Sequence, residues 1–574
     1  VSKVDKTIEI VGFSPQQREL YITKYFEGLP YCDNALKLIK ECEYLFSHCY
    51  SPVMCRLVCF LYETVLEMGG KSLPSTLTTV FLKFVQQTMQ NQESLATLAR
   101  VAWYFGEKHQ SAMKSDHLPS KEVKEFALKY GFFLPFAFPR PSDSGEEEFG
   151  STFSDFVIQN FLCALHLTLA EDIKDKSLTK YLSFPSKKKK PYNWSDLVPR
   201  FLAGLLFLQD DAYFCSLSNK DVKQSTKKQK TLLKYFKRLQ INELCPERLL
   251  ELLHCTYETQ SNYLLQHVAL RLKPDLSFLG VVLTPPDVHV LHSILKRSRK
   301  EFSLDLRNSS IDRLKDLVGL KNVTSFRASL SDTVRLWKSL EQTKDYELLR
   351  ASTEKFVLDP FKAKTVKDVS DLSDLVEMQE KMINCVQDAS GCSSYEIPAI
   401  KNLRKLEFAL GPVCGLQGFL KLVEILAAFP SLQHLDLDAL SENGIGDEGA
   451  KSLSEVFPTL TSLETLNLSQ NKITDVGAEK LATALPSLSS LKTLSLYNNS
   501  ICDFGAENLA KVLPVMASLR VLDVQYNKIT GVGAQQLTDS LRKCPHIKNL
   551  VMWNPTIPYG VLEHLQQLDS RISV

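Results

Sequence analysis

The run Gly70-Lys71-Ser72 has the residue types that end a phosphate-binding loop. In such a loop the backbone N–H groups hold the phosphates, and the motif requires another glycine five residues before Gly70. That position is Val65, and the residues before it have the apolar spacing of a helix rather than of a strand. We therefore expect residues 69–72 to form a helix C-terminus and a turn, without a bound nucleotide.

Thiol and imidazole groups are crowded early in the chain and raise the question of a metal site. The 14 cysteines include no C-x-x-C pair, and the spacings of the crowded group match no zinc template. Reduced, buried thiols are expected instead. No nucleophile with a base, metal set or carboxylate pair stands out at a spacing that catalysis requires, so the sequence favours a protein that is not an enzyme. The crowded group is Cys42, His48, Cys49, Cys55 and Cys59.

The overall charge is nearly balanced, with a formal net charge of +2. This gives no general attraction to nucleic acid, so contact with DNA is expected through protein partners. No apolar run reaches the length of about 18 residues that a membrane helix needs, and no signal segment opens the sequence. We expect an intracellular protein without membrane contact. The sequence starts with valine in what resembles the middle of a domain, so part of a longer polypeptide is expected.

Two basic stretches have different interpretations. The four lysines Lys187, Lys188, Lys189 and Lys190 fit either a solvated loop or a nuclear import signal, since importins bind compact basic clusters on exposed loops. Composition alone leaves both open. The second stretch, Lys220 to Arg238, is interleaved with apolar residues and is expected to be one exposed helix face.

The last quarter of the chain contains a leucine-rich pattern that returns five times. Leu432, Leu463, Leu491, Leu519 and Ile547 are separated by 31, 28, 28 and 28 residues, which is the period of leucine-rich repeats. Each repeat alternates apolar and polar residues over a short segment and then continues at helical spacing. Because one strand–turn–helix unit cannot bury its apolar face alone, the repeats are expected to stack into a curved solenoid.

A solenoid of this kind exposes one row of strand side chains, which we call the concave wall. Alternate strand residues point outward, and this alternation selects candidate partner-binding residues. Tyr497 and Trp553 are the aromatic anchors expected to matter most. The selected residues are His434, Asp436, Asp438, Thr465, Asn467, Ser469, Thr493, Ser495, Tyr497, Val521, Asp523, Gln525, Asn549, Val551 and Trp553.

A second repeated position holds asparagine. Asn471, Asn499 and Asn527 share one register, where a buried amide can bond backbone groups that are left open as the chain leaves the strand. The last repeat is expected to lose this asparagine to Pro555. Between residues 285 and 400 the repeat spacing is irregular. Strands are expected at 302–306 and 356–358, and at 403–408 where the regular spacing returns. The polar segment 377–398 is expected to be a loop.

The chain resembles a NACHT and leucine-rich-repeat protein, with an α+β multidomain architecture. The resemblance implies a helical domain over 1–92, a winged-helix-like domain over 93–150, a second helical domain over 151–284 and a ribonuclease-inhibitor-like α/β solenoid over 285–574, regular from 403. It rests on short motifs: Gly12-Phe13-Ser14 with Tyr21 and Phe26, Leu73-Pro74-x-Thr76-Leu77, and Phe153-x-x-Phe156-x-x-Gln159-x-Phe161.

From about residue 150 onward, the chain is similar to one nuclear member of this family. That similarity implies the docking and regulatory half of a coactivator of MHC class II genes, which has no DNA-binding domain and shuttles between nucleus and cytoplasm. The expected partners are promoter-bound factors, namely the RFX complex, NF-Y and CREB-type proteins. The strings that carry the similarity are Phe302 to Arg307, Leu406 to Pro412, Leu435 to Glu442, Leu522 to Lys528 and Gln566 to Ser573.

The resemblance has three further implications. It favours the import interpretation of Lys187 to Lys190. It implies GTP or ATP binding in an upstream part of the parent rather than in this chain, with Pro52 as the candidate contact to the base. It also leaves open an alternative function, a cytosolic innate immune sensor whose repeats hold an ATPase inactive, and it leaves self-association undecided.

Overall fold

A computed structural model of the chain divides into two compact units, Val1–Thr324 and Ser325–Val574. Within the described ranges, no helix is long and apolar enough to cross a bilayer. The structure describes residues 12–67, 74–88, 92–108, 110, 112–114, 121–129, 132–138, 148–171, 173, 178, 197–208, 212–217, 222–307, 314–390, 396–438 and 443–573.

The first unit is mainly helical. Its first helix begins with a capping box, in which the Ser14 hydroxyl accepts from the Gln17 N–H and the Gln17 side chain accepts from the Ser14 N–H. The helices are α1 (Pro15–Tyr25), α2 (Cys32–Glu41), α3 (Glu43–His48), α4 (Pro52–Glu67), α5 (Leu77–Thr88), α6 (Gln92–Glu107), α7 (Lys121–Lys129), α8 (Phe156–Leu169), α9 (Val198–Phe207), α10 (Ala212–Leu217), α11 (Val222–Arg238), α12 (Pro246–Glu258), α13 (Asn262–Arg271), α14 (Pro285–Leu295) and α15 (Leu314–Val318).

The centre of the helical packing is α8, which is apolar on nearly all sides and packs against α6 and α9. Phe81, Phe161 and Phe201 bring α5, α8 and α9 together, with ring centroids 5.2 to 5.5 Å apart. Rings at such distances add to the stabilisation that their burial provides. Beside these helices, an antiparallel sheet has the order β1–β3–β2. Its strands are β1 (Ala112–Lys114), β2 (Phe133–Phe138) and β3 (Glu148–Phe153).

The domain boundaries proposed from the sequence stay a prediction, and the one after residue 150 falls inside β3. Strand–helix–strand structure begins before residue 285, because β4 (Asp275–Ser277) pairs in parallel with β5 (Phe302–Asp305). These strands enclose α14, which starts with a capping box between Thr284 and Asp287. A further strand, β6 (Val323–Arg327), contains the division between the two units.

The second unit contains an eight-stranded parallel sheet in the order β14 to β7, with a helix between successive strands of its regular part. The helices are α16 (Leu330–Gln342), α17 (Tyr346–Lys355), α18 (Val366–Ser390), α19 (Pro398–Lys401), α20 (Gly415–Leu426), α21 (Gly446–Val456), α22 (Asp475–Ala484), α23 (Asp503–Val512), α24 (Gly531–Leu541) and α25 (Tyr559–Leu568). The strands are β7 (Phe361–Ala363), β8 (Lys405–Phe408), β9 (His434–Asp436), β10 (Thr465–Asn467), β11 (Thr493–Ser495), β12 (Val521–Asp523), β13 (Asn549–Val551) and β14 (Ile572–Ser573).

The strand register confirms the repeat alignment that the sequence predicts. Leu435, Leu466, Leu494, Leu522 and Leu550 are direct neighbours on adjacent strands and are all buried. Helices α21 to α24 pack side by side behind the sheet, so each repeat buries its apolar face against its neighbours.

In and just after the irregular region before residue 400, two of the three predicted strands are confirmed, the third is only a single bridge, and the predicted loop is wrong. Strands occupy 302–305 and 405–408, and Phe356 forms a single parallel bridge with Phe326. The expected loop over 377–398 is instead the second half of α18, up to Ser390. This helix forms because Leu372, Leu375 and Met378 recur at helical spacing and are buried.

Helix α11 is not simply an exposed basic face, as the sequence had suggested. The Lys228 ammonium is fully buried and donates to the carbonyl oxygens of Leu167, Thr168 and Ala170 at 2.7 to 3.1 Å. These carbonyls end α8 and have no helical partner of their own, so Lys228 caps that helix.

The asparagine ladder is confirmed and is longer than the sequence suggested. Asn499 donates to the carbonyls of Leu468 and Leu496 at 3.0 Å and accepts from the N–H groups of Asn471 and Ile473 at 3.1 and 3.0 Å. Asn443 and Asn554 have equivalent roles at the two ends. The expected loss of asparagine to Pro555 is therefore wrong, because the last repeat places its amide one residue earlier.

A second ladder, of aspartates, links each repeat helix to the next. Asp447 accepts from the N–H groups of Thr474 and Gly477 at 2.8 and 2.9 Å, and from the Thr474 hydroxyl at 2.7 Å. Asp475 and Asp503 repeat this contact to the following helices. Position 477 requires glycine, since a Cβ atom there would lie 2.4 Å from the Asp447 carboxylate.

Candidate protein-docking surface

The predicted concave-wall residues fall into three rows across the strands. The first row contains His434, Thr465, Thr493, Val521 and Asn549, which are direct neighbours in the strand register. The second row contains Asp436, Asn467, Ser495, Asp523 and Val551. Nearly all of these residues are partly exposed, whereas the leucines between them are buried. The outward alternation predicted for these two rows is thus confirmed, and the role of the residues in binding stays a prediction.

The third row lies just beyond the strands and contains Asp438, Ser469, Tyr497, Gln525 and Trp553. Parallel hydrogen bonds continue to this row, since the Tyr526 N–H donates to the Trp553 carbonyl at 3.0 Å and the Asn498 N–H to the Gln525 carbonyl at 2.9 Å. Its side chains are therefore held in the same register as the strands. Ser469 differs from the others because it is 4% exposed.

Polar side chains at the β9 to β11 end of the wall bind one another. The Asn467 amide donates to Asp436 at 2.9 Å, and the Gln470 amide donates to Asp438 at 2.9 Å. Ser469 shares a hydrogen bond of 2.8 Å with Ser495. These contacts fix the side chains and leave this end of the wall polar.

The opposite end of the wall is aromatic. The ring of Tyr526 lies between those of Tyr497 and Trp553, with centroid distances of 5.1 and 4.7 Å and interplanar angles of 59° and 54°. We call these three residues the aromatic cluster. Tyr526 is 47% exposed. The sequence singled out Tyr497 and Trp553 but missed Tyr526, because strand alternation assigns no outward position to a residue in the turn.

The backbone explains how Tyr526 reaches its neighbours. Tyr526 has a φ of 53°, in the left-handed region of the backbone angles. Gln470 and Asn498, at the equivalent positions of earlier repeats, lie in the same region. A non-glycine residue adopts this conformation only where the surrounding structure fixes it. In the sequence, the shared 28-residue register of Gln470, Asn498 and Tyr526 was the signal that could have identified Tyr526.

All the acidic side chains among the concave-wall residues are aspartates: Asp436, Asp438 and Asp523. Asp523 is the last residue of β12 and lies two residues before Gln525 of the third row. Its pKa is raised above the usual value because burial disfavours the charged carboxylate, an effect that the N–H of Gln525 partly opposes at 3.0 Å. The aromatic end of the wall thus carries a partly desolvated acid.

The other predicted site residues belong to the first of the two units of the chain. Pro52 is the exposed first residue of α4. Lys187 to Lys190 lie outside the described residues, as do Gly70 and Lys71. Cys49, Cys55 and Cys59 are buried free thiols, and the hydrogen bond to Cys55 together with burial raises the pKa of Cys49. No group of three or more His, Cys, Asp or Glu residues within the described part of the chain could hold a metal ion.

The chain is 52% identical to the human MHC class II transactivator over 585 aligned positions, which cover all of this chain and 51% of that protein. This similarity agrees with the resemblance to the NACHT and leucine-rich-repeat family. The family description "NLRC4 helical domain HD2" matches residues 156–267, and two leucine-rich-repeat descriptions match 461–511, 430–454 and 515–537. These matches fit the C-terminal half of a protein of this family.

Two more distant relatives each match about half of the chain. Mouse Protein NLRC5 is 27% identical over 52% of this chain and 16% of its own length. The cattle NACHT, LRR and PYD domains-containing protein 3 is 28% identical over 52% of this chain and 31% of its own length. The chain spans about half or less of these curated relatives.

Proposed function

We propose that this chain is the docking and regulatory half of a coactivator of MHC class II genes, and that its concave wall binds promoter-bound proteins. The observation that carries this is the aromatic cluster, which leaves Tyr526 47% exposed beside Tyr497 and Trp553. Exposed tyrosine and tryptophan side chains held in a fixed arrangement are typical of the few residues that dominate a protein interface. The 52% identity to the human MHC class II transactivator supports the class of partner.

The partners in this proposal are the RFX complex, NF-Y and CREB-type proteins, and the site of action is the nucleus. A net charge of +2 supports docking through proteins rather than direct DNA binding. The proposal includes entry through Lys187 to Lys190, exchange with the cytoplasm, and GTP or ATP binding by the longer parent. Pro52, exposed at the start of α4, is the residue proposed to contact the nucleotide base.

The alternative function is a cytosolic innate sensor of the same family. It is supported by the cattle NACHT, LRR and PYD domains-containing protein 3, which is 28% identical over 52% of this chain. The coactivator has stronger support, because its relative is 52% identical over the entire chain. A sensor would respond to a ligand by assembling in the cytosol, without occupying promoters.

The test replaces Tyr497 and Trp553 together by alanine in the full-length parent. Removing two aromatic anchors is expected to weaken co-precipitation of RFX-complex subunits at least tenfold, since each such residue contributes about 2 kcal/mol or more at an interface centre. The unfolding midpoint should stay nearly unchanged because both side chains are partly exposed. Tyr559→Ala is the matched control, since this tyrosine is 69% exposed on α25 and lies outside the cluster.

The outcomes separate the two functions. Loss of partner capture and of class II promoter occupancy, with normal folding and a normal Tyr559→Ala control, supports the coactivator. Undiminished capture by the double variant contradicts docking through the concave wall. In the same cells, a parent with alanine at 187–190 should be depleted from the nucleus, whereas an intact parent that stays cytosolic and never occupies these promoters supports the sensor.

A further inference from the structure

The aromatic cluster has the geometry of a shallow cage. The Tyr526 ring is tilted by 59° against Tyr497 and by 54° against Trp553, so its face does not stack on either neighbour. The cluster is held on adjacent strands by backbone hydrogen bonds, including that from Tyr526 to Trp553 at 3.0 Å. The faces of tyrosine and tryptophan rings are electron-rich, and they attract a cation placed within about 6 Å of the ring centroid.

The charge beside the cage favours a cationic ligand. Asp523 lies on the same outward face and sits between Ser495 and Val551 in the strand register. The Gln525 N–H donates to the Asp523 carboxylate at 3.0 Å, so this carboxylate borders the position of Gln525, which lies between Tyr497 and Trp553 in the third row. Among the residues that the structure describes, no lysine or arginine forms an ion pair with Asp523 or lies over the three rings.

We propose that the aromatic cluster and Asp523 together bind an arginine side chain of a partner protein. This inference rests on the proposed docking function and adds the chemistry that the wall recognises. Arginine fits because its planar guanidinium can lie against an aromatic face while its N–H groups donate to a carboxylate. Such a ligand also places a positive charge next to Asp523, which favours the ionised form of this partly desolvated acid.

Tyr526 is the residue that completes the cage, and the repeat itself provides a clean substitution for it. Asn498 occupies the equivalent position one repeat earlier, with a φ of 52° against 53° for Tyr526. Asparagine tolerates this backbone conformation well. Tyr526→Asn should therefore remove the central ring without straining the turn, which an unchanged unfolding midpoint would verify.

The test uses the purified chain and two small probes, N-acetyl-arginine methylamide and N-acetyl-citrulline methylamide. Citrulline has almost the shape of arginine but no charge, so the pair isolates the guanidinium cation. Trp553 lies in the cage, and its fluorescence should change on binding, while Trp553→Phe identifies the contribution of the other tryptophans. The arginine probe is expected to bind at least fivefold more tightly than the citrulline probe.

Two variants locate the site. Tyr526→Asn and Asp523→Asn should each lower the affinity for the arginine probe at least fivefold, and the control Tyr559→Ala should leave it unchanged. Equal affinity for the two probes, absence of saturable binding, or full affinity in the Tyr526→Asn variant overturns the inference.

The same measurements separate this inference from the proposed function. If partner capture is lost in the Tyr497 and Trp553 double variant but both probes bind equally, docking stands and arginine recognition fails. If the arginine probe binds in the cage but the double variant still captures its partners, the cage stands and docking through it fails.

Discussion

Glu258 joins three helices of the first unit through one buried carboxylate. It lies at the end of α12 and accepts from the Tyr44 hydroxyl at 2.8 Å, the Leu77 N–H at 3.1 Å, the Thr78 N–H at 2.9 Å and the Thr78 hydroxyl at 2.6 Å. It is 3% exposed. Leu77 and Thr78 begin α5, whose first N–H groups have no helical partner, so the charge also stabilises that helix terminus.

Glu258→Gln keeps the shape and replaces one oxygen by an amide NH2 group. In either orientation of the glutamine amide, its NH2 group faces one hydroxyl and one backbone N–H. The hydroxyl can rotate to accept a hydrogen bond from the NH2 group, but the backbone N–H cannot accept one. The buried N–H left without a partner costs about 1–3 kcal/mol, and loss of charge weakens the remaining bonds by about 1 kcal/mol. We expect the free energy of opening of α5 to fall by about 3 kcal/mol.

Amide hydrogen exchange of the segment 77–88 measures this opening directly, without assuming that the whole chain unfolds in one step. A loss of about 3 kcal/mol lowers the protection of these amides by about a hundredfold. Tyr44→Phe is the matched control: it removes one of the four hydrogen bonds and should cost about 1 kcal/mol. The reasoning is refuted if Glu258→Gln changes protection less than threefold, or no more than Tyr44→Phe does.

Two further predictions concern one repeat position and one buried imidazole. Cys502→Thr should stabilise the repeats against urea by about 1 kcal/mol, because a threonine hydroxyl there could donate to Asp475, as the Thr530 hydroxyl donates to Asp503. The reverse change, Thr530→Cys, should lower the stability by a similar amount. No change in stability in either variant would contradict the role of the aspartate ladder. Burial lowers the pKa of His48 well below its usual value. This imidazole therefore stays neutral in the folded chain at pH values where it becomes protonated in the unfolded chain, near pH 6.5. Stability should therefore fall as the pH drops through 6.5, by about 1.4 kcal/mol at pH 5.5 from this group. In urea unfolding, the His48→Phe variant should lose correspondingly less stability than the unchanged chain between pH 7.5 and 5.5, while the new ring keeps the edge contact to Tyr44. Equal losses of stability in the two proteins would count against this assignment. The charged and titratable groups that act on His48 are His254, Arg200, Asp287 and His289.

The sequence predicted the regular repeats well because stacking gives equivalent residues the same environment. Leu466, Leu494 and Leu522 recur every 28 residues, and the structure places them side by side. The same period located Tyr497 and Trp553 on one outward row. It failed where the asparagine shifts within a repeat of unchanged length: Asn554 follows Asn527 by 27 residues and still completes the ladder.

Other features carried no periodic signal that marked their role. The predicted loop over 377–398 is polar on average, but its helix needs only one apolar stripe, which includes Met378, to pack. Lys228 belongs to a basic stretch whose charges otherwise suggest an exposed face, and its burial depends on the carbonyls at the end of α8. In both cases the packing partner decided the structure.

By itself, the sequence determined the repeat fold, the register of its strands and two of the three rings in the proposed docking surface. Each of these follows from apolar residues at a fixed spacing, which any stacked arrangement must bury in the same way. Only the tertiary structure decided the place of Tyr526 and the partners of Glu258, one of which, Tyr44, is 214 residues away. Such contacts depend on which segments the fold brings together, and no local pattern records that.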